Sequence, residues 1–276
     1  MKIELPEKIN LSSSEKYILI FEVSDEKCSF SMYNPVEDGS FFYHEIEKES
    51  NEDLLTNLQE FFYANDFLSA SYRKTFVVNN TPSFTFIPVN VFDEKRKEDF
   101  LEFNLSDNDD KVLVQTIRKP ELVLLHAISG KIFDFFNRSF VNLQIVHHLS
   151  PLLSYFSERT RLGNANRLII NLQNKGLDIL HFSLSGDFIF ANHFKYCHLN
   201  DAVYYIFFIW KQLNLNQLKD FIYVVGNSSQ KAELIQQLQK YVQNVFLVNI
   251  TPSEHFLGLD INHIPFELSA LTLCEL

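Results

Sequence analysis

The residues of this chain able to do chemistry are its histidines, cysteines, serines and acids, and their spacing is poor for most of it. His147-His148 is the only adjacent histidine pair. Neighbours on a strand point to opposite faces, so these rings are not expected to share a metal, and a surface or hydrogen-bonded role is expected instead. His193 and His198 lie five apart across an expected strand end, which is loose spacing for metal ligation. His44 and His181 fall in strand-like segments with no acid at ligand spacing. Cys28, Cys197 and Cys274 are far apart and no Cys-x-x-Cys exists, so neither a zinc knuckle nor a redox pair is indicated. Lys27 is placed to lower the pKa of Cys28, but a buried, inert thiol is the expected state. Ser183-x-Ser185-Gly186 lacks the Gly-x-Ser-x-Gly of a nucleophile elbow, and Ser185-Gly186-Asp187 reads as a hairpin turn. Glu45-Ile46-Glu47-Lys48-Glu49 reads as a solvated strand end.

Composition narrows the classes further. The formal net charge over 276 residues is -11. A dedicated nucleic-acid surface needs clustered Lys and Arg, and the densest basic run, Lys95-Arg96-Lys97, is flanked by Glu94 and Glu98. Seven glycines occur, and no two lie within five residues. Neither Gly-x-Gly-x-x-Gly nor Gly-x-x-x-x-Gly-Lys is present to cradle phosphate. The longest uncharged apolar run, Ala202–Trp210, is far below the roughly 20 residues that span a bilayer. Met1–Asn10 carries charge and no apolar centre, so no signal peptide is read there and a cytoplasmic location is expected. Apolar residues make up 46%, with 28 phenylalanines, which predicts a large core filled with rings.

The elements that must position these residues come in two similar sets. Ile18-Leu19-Ile20-Phe21-Glu22-Val23-Ser24-Asp25 is echoed 149 residues later by Arg167-Leu168-Ile169-Ile170-Asn171-Leu172-Gln173-Asn174. Phe76-Val77-Val78-Asn79-Asn80 is echoed by Tyr223-Val224-Val225-Gly226-Asn227. An internal repeat constrains architecture more than any single motif. In the first half, strands are expected over 17–23, 28–33 (half-exposed) and 41–46, a helix opening at Asn51-Glu52-Asp53, and a strand over 74–78. In the second half, strands over 167–172, 177–184 and 188–194 precede a helix from Asn200-Asp201 to Leu213 and a strand over 221–225. A helix over 230–241 and a strand over 245–248 follow. Between them, 83–160 reads as a sub-lobe: strands at 84–89, 111–117, 122–126 and 143–147, and helices at 93–103, 129–140 and 150–159. Asp107-Asn108-Asp109-Asp110 is an expected loop and Gly163-Asn164 an expected hinge. The lobes are thus 1–165 and 166–276. Tyr204-Tyr205-Ile206-Phe207-Phe208-Ile209-Trp210 is apolar all round, which predicts burial on several sides, with a subunit interface as the other reading.

This doubled strand-strand-strand-helix-strand order resembles the actin-like ATPase superfamily of actin, Hsp70 and sugar kinases. The second half is most similar to actin-like proteins of pilus and type II secretion machines. The whole chain resembles a bacterial family of unknown function assigned to that fold. The resemblance implies an α/β, two-lobed, ribonuclease H-like duplicated fold, with mixed central sheets flanked by helices. It also implies an inter-lobe nucleotide cleft lined here by Glu22, Ser24, Asn171, Gln173, Gly226 and Asn227. ATP-hydrolysing members carry Asp-x-Gly at each phosphate hairpin. The matching positions here read Glu22-Val23-Ser24 and Asn171-Leu172-Gln173, so both glycines and one carboxylate are missing. Asn cannot supply negative charge to a hydrated Mg²⁺. Asp178 matches a frequent acid of the family, and the adenosine-binding Gly-Gly reads Gly226-Asn227. The implied protein is a catalytically degenerate scaffold with no catalytic residue, no metal and no required cofactor, which binds a protein partner or a second copy of itself. The alternative is a nucleotide-dependent ATPase or kinase-like switch using ATP with magnesium, with Glu22 on the metal's water and Asp178 replacing the lost carboxylate.

Overall fold

A computed structural model describes residues 2–24, 27–46, 53–102, 109–159, 164–249 and 264–273. Asp25, Glu47-Lys48-Glu49, Asn51-Glu52, Asp107-Asn108, the Gly163 hinge and Cys274 lie outside the described residues. The chain divides into two compact units, one built on residues 1–116 and 123–150, the other on 117–122, 151–251 and 262–276.

The first unit opens with β1 (Ile18–Ser24), β2 (Cys28–Tyr33), β3 (Phe42–Ile46), α1 (Leu54–Ala64) and β4 (Lys74–Asn80). It continues through β5 (Phe84–Pro88), α2 (Lys97–Leu101), β6 (Asp110–Ile117), β7 (Leu122–Ser129), α3 (Gly130–Ser139) and β8 (Leu143–His147). The second unit contains α4 (Leu149–Arg159, which begins at the boundary), β9 (Arg167–Leu172), β10 (Gly176–Phe182), β11 (Phe188–Lys195) and α5 (Leu199–Gln212). It ends with β12 (Phe221–Val225), α6 (Lys231–Leu238), β13 (Asn244–Leu247) and α7 (Phe266–Leu273).

The duplication is visible in the sheets. One has the order β3-β2-β1-β4-β8 and another the order β11-β10-β9-β12-β13. In both, the first three strands form an antiparallel meander, and the last two join parallel to the first strand. A three-stranded sheet β5-β7-β6 completes the first unit.

Alternation along the central strands sets what each face carries. Leu19, Phe21 and Val23 of β1 point into an aromatic core with Phe30, Phe61 and Phe136. The Phe21 ring lies 5.2–6.3 Å from those of Phe30, Phe62, Phe136 and Phe140. Leu168, Ile170 and Leu172 of β9 do the same beneath Ala202, Ile206 and Trp210 of α5. Glu22 and Asn171 therefore project from the opposite face of their strands. Helix starts follow local chemistry: Asp53 Oδ1 accepts from Thr56 N at 2.7 Å, and Asp201 Oδ2 accepts from His198 N at 2.9 Å in a capping box.

Three expectations need correction. β2 is buried along its whole length rather than half-exposed, because its serine face is covered too and Ser29 is engaged by Glu22. α5 is not buried all round: Tyr204 and Phe208 are 64% and 46% exposed, since they lie opposite the buried Leu199-Ala202-Ile206-Trp210 stripe. His147 and His148 do not diverge, because β8 ends at His147 and strand alternation stops there. Their rings lie 4.3 Å apart.

Candidate functional site

In the first unit, the β1–β2 hairpin brings Glu22 opposite Ser29. Glu22 is 1% exposed. Its Oε2 accepts from Ser29 Oγ at 3.4 Å and its Oε1 from Asn80 Nδ2 at 3.1 Å. Asn80 reaches it because β4 lies parallel to β1 with Ser24 paired to Asn80. Acids nearby feel this carboxylate. Burial and then the Glu22 charge push the Cys28 thiol well above its ordinary range, so Cys28 is inert as expected. Burial, Glu22 and Glu45 do the same to the Tyr43 phenol. Ser24 is turned onto its own hairpin: its Oγ donates to Lys27 O at 3.0 Å and accepts from Lys27 N at 3.1 Å.

The second unit repeats the hairpin with the polarity exchanged. Asn171 on β9 pairs with Asp178 on β10, the position that Ser29 holds in the first unit. Asp178 is 0% exposed. Its Oδ2 accepts from Asn171 Nδ2 at 3.0 Å and Gln173 Nε2 at 3.3 Å, and its Oδ1 pairs with His193 Nδ1 at 2.8 Å. His193 stands directly across from it on β11. Asn171 Oδ1 is buried without a hydrogen-bond partner. Gln173 is held at both ends of its peptide unit: its N–H donates to Gly176 O at 2.9 Å, and its carbonyl accepts from Tyr196 Oη at 2.5 Å.

The loop after β12 closes onto this hairpin. Gly226 has φ +108°, and a Cβ there would lie 2.2 Å from Leu172 O, so only glycine fits. Ser228 N donates to Leu172 O at 3.2 Å and Lys231 Nζ to Gly226 O at 2.5 Å. Asn227 sits beside them, half-buried. Within the second unit the structure thus gathers Asn171, Gln173 and Gly226 around the β9 end, together with Asp178, His193, Tyr196, Ser228 and Lys231. Glu22 and Ser24 lie together at the β1 end of the first unit.

The fold class implies magnesium and ATP. A hydrated Mg²⁺ needs carboxylate oxygens facing water. Glu22 and Asp178 are buried, and each of their oxygens already accepts a protein donor. Gly226 approaches Leu172 O so closely that its freedom from a Cβ serves the chain's own packing. These residues do not fit a magnesium nucleotide in the arrangement they hold, and no chemical step is assigned to one.

Three histidines meet in the first unit. His126, His147 and His148 are all buried, with His126 5.3 Å from His147 by ring centroid. Asn79 Nδ2 donates to His126 Nδ1 at 2.9 Å, which places the imidazole proton on Nε2. His147 Nε2 faces Thr81 O at 3.0 Å and its Nδ1 accepts from Leu149 N at 3.3 Å. Burial, followed by His148, lowers the pKa of His126 to about 3. His193 belongs to Asp178 and His198 caps α5. Among the described residues no group of three His, Cys, Asp or Glu is placed to hold a metal ion. Ser183, Ser185 and Asp187 form a turn around Gly186 at φ +86°.

The seven-residue spacing of Glu22/Ser29 and Asn171/Asp178 on their hairpins is a sequence signal for the Asn171–Asp178 contact. The Asp178–His193 pair has no such signal, because it depends on the register of β11 against β10.

The family described as "Protein of unknown function (DUF3822)" matches residues 6–245. A crystal structure from Bacteroides thetaiotaomicron VPI-5482, of a protein with actin-like ATPase fold and unknown function, is 29% identical. It aligns over 97% of this chain and 99% of that one, with a TM-score of 0.83. A chain of the PilM–PilN type IV pilus biogenesis complex is 11% identical, over 93% of this chain and 97% of that one, at a TM-score of 0.54. These likenesses establish the actin-like ATPase fold. Among curated proteins nothing matches. No helix of the described residues is long and apolar enough to cross a membrane.

Proposed function

We propose, from the premise that this chain belongs to the DUF3822 family, that it is a catalytically degenerate actin-like scaffold that binds a protein partner. The observation that carries this reading is the fate of the two hairpin carboxylates. Glu22 and Asp178 are spent on internal hydrogen bonds, at 1% and 0% exposure. A catalytic acid must touch solvent or substrate; a buried acid bonded at every oxygen holds a hairpin together. Gly226 adds weight, because the loop that would meet an adenosine is packed on Leu172. Fold alone licenses no activity, so the partner half of the proposal leans on what the scaffold retains: two well-packed units with exposed apolar side chains outside α5, such as Tyr63 and Leu218. The PilM–PilN complex offers a precedent in shape for an actin-like chain engaged with another protein. A cytoplasmic setting suits the free thiols Cys28 and Cys197.

The test is a pair of measurements on the intact chain. Thermal shift and calorimetry with Mg-ATP are expected to show no binding and no phosphate release. A ligand at 100 times its dissociation constant would stabilise the protein by about 2.7 kcal/mol, which is easily seen. Partner binding is then measured with purified candidate proteins and is expected to be indifferent to Mg-ATP. Nucleotide-driven stabilisation with turnover would instead establish the switch reading, with ATP and magnesium as its cofactors.

A further inference from the structure

α5 carries an exposed face directly opposite its core stripe. Its inward residues are Leu199, Ala202, Ile206 and Trp210. Two residues on from Ala202 and Ile206, at about 100° per residue, Tyr204 and Phe208 point away from the sheet. They are 64% and 46% exposed, and their rings stack at 6.2 Å. Tyr205 stacks on Phe194 at 4.8 Å, and Phe207 meets the 60%-exposed Tyr241 edge-on at 5.2 Å, so the patch is aromatic on both flanks. Exposed aromatic surface of this kind marks contact with another macromolecule.

The order of residues along this face says which one. Asp201, Tyr204, Phe208 and Lys211 follow a three-four-three spacing, the seam that packs one helix against another. The pattern is self-complementary on reversal: acid, ring, ring, base. Laid antiparallel on a copy of itself about Ile206, Tyr204 of each chain meets Phe208 of the other, and Asp201, whose Oδ2 caps its own helix, meets Lys211 through Oδ1 at both ends. A parallel alignment would set like charge against like. The antiparallel arrangement also aligns the helix dipoles favourably and closes under a two-fold axis, so it ends at two chains.

We propose that this face of α5 is a self-association surface and that its occupant is α5 of a second copy, packed antiparallel. The proposal rests on the exposed helix face and is independent of the state of the Glu22 and Asp178 hairpins.

Sedimentation velocity over a concentration series of the full chain tests it. The wild-type chain is expected to form a dimer. Tyr204→Ser with Phe208→Ser is expected to weaken that dimer tenfold or more, on the order of a hot-spot loss, without loss of folded signal. Lys211→Glu, which sets two acids together at each end, is expected to weaken it, and Lys211→Arg to leave it intact. Orientation is read separately, with Asn200→Cys and Gln212→Cys in a Cys197→Ser background. The antiparallel seam predicts cross-links between positions 200 and 212 of different chains. A wild-type chain that stays monomeric to about 100 μM, far above the usual range of specific interfaces, overturns the proposal. So does a dimer insensitive to these variants, or one cross-linked only between identical positions. Capture of a different protein on α5 by a monomeric chain is also an overturning result.

Discussion

Asn171 and Asp178 face one another across the β9–β10 hairpin with a 3.0 Å hydrogen bond, and Glu22 and Ser29 hold the same two positions in β1–β2. The duplicated hairpin has kept a buried carboxylate in both units but has moved it to the other strand in the second. In each case the acid is turned inward onto protein donors. An acid in that state contributes to holding strands in register.

Asp178 is therefore expected to matter for stability. Asp178→Ala leaves Asn171 Nδ2 and His193 Nδ1 without their acceptor in a buried site. Orphaned donors of this kind cost about 3 kcal/mol in total. Asp178→Asn, which keeps one acceptor oxygen, is expected to lose less. Urea denaturation of both variants measures the difference, and an unchanged midpoint for Asp178→Ala would deny Asp178 this role.

Gly226→Ala is expected to destabilise the second unit by roughly 2–4 kcal/mol. The backbone there has φ +108°, and the added Cβ would meet Leu172 O at 2.2 Å, so strain and overlap act together. Thermal denaturation of the variant checks this directly.

Much of this is legible in the sequence. The echo of Phe21-Glu22-Val23 in Ile170-Asn171-Leu172, with that of Val78-Asn79-Asn80 in Val225-Gly226-Asn227, implied two sheets of one pattern, and the strand orders match. Other features were illegible for identifiable reasons. Ser29 and Ser31 alternate with Cys28, Phe30 and Met32, the pattern of a half-exposed strand, and only the packing on the second face buries them. Tyr204 and Phe208 carry large rings like Trp210 of the inner stripe, so residue type alone could not tell the outer stripe of α5 from the inner one. α7 shows no polar stripe at helical spacing, because Phe266 to Leu271 are buried on every side. The meeting of His126 with His147 depends on β7 reaching the end of β4, a long-range pairing with no local signature.

That histidine cluster makes acid stability a test of the first unit. The folded pKa of His126, about 3, lies below the 6.5 of the exposed group. Between those values the unfolded chain binds a proton that the folded chain does not, so stability falls as pH drops from 6.5 towards 3. Above pH 6.5 the contribution is fully present. The slope from one such group approaches about 1.4 kcal/mol per pH unit. His126→Gln, which does not titrate, is expected to show a shallower decline between pH 6.5 and 4 in urea denaturation than the wild-type chain.

The two faces of α5 should respond oppositely to truncation. Trp210→Ala opens a hole under the helix and is expected to cost about 3–5 kcal/mol. Tyr204→Ser and Phe208→Ser are expected to stay within about 0.5 kcal/mol of wild type in the isolated monomer, measured by dilute-solution denaturation.

The most direct measurement of the central claim is calorimetric titration of the intact chain with Mg-ATP, with released phosphate followed in the same sample. Two hairpins whose carboxylates are sealed inside the protein predict no heat of binding and no phosphate above the protein-free control. A saturable heat with phosphate release, both abolished by Glu22→Gln, would show that these acids reach a nucleotide and would contradict the account.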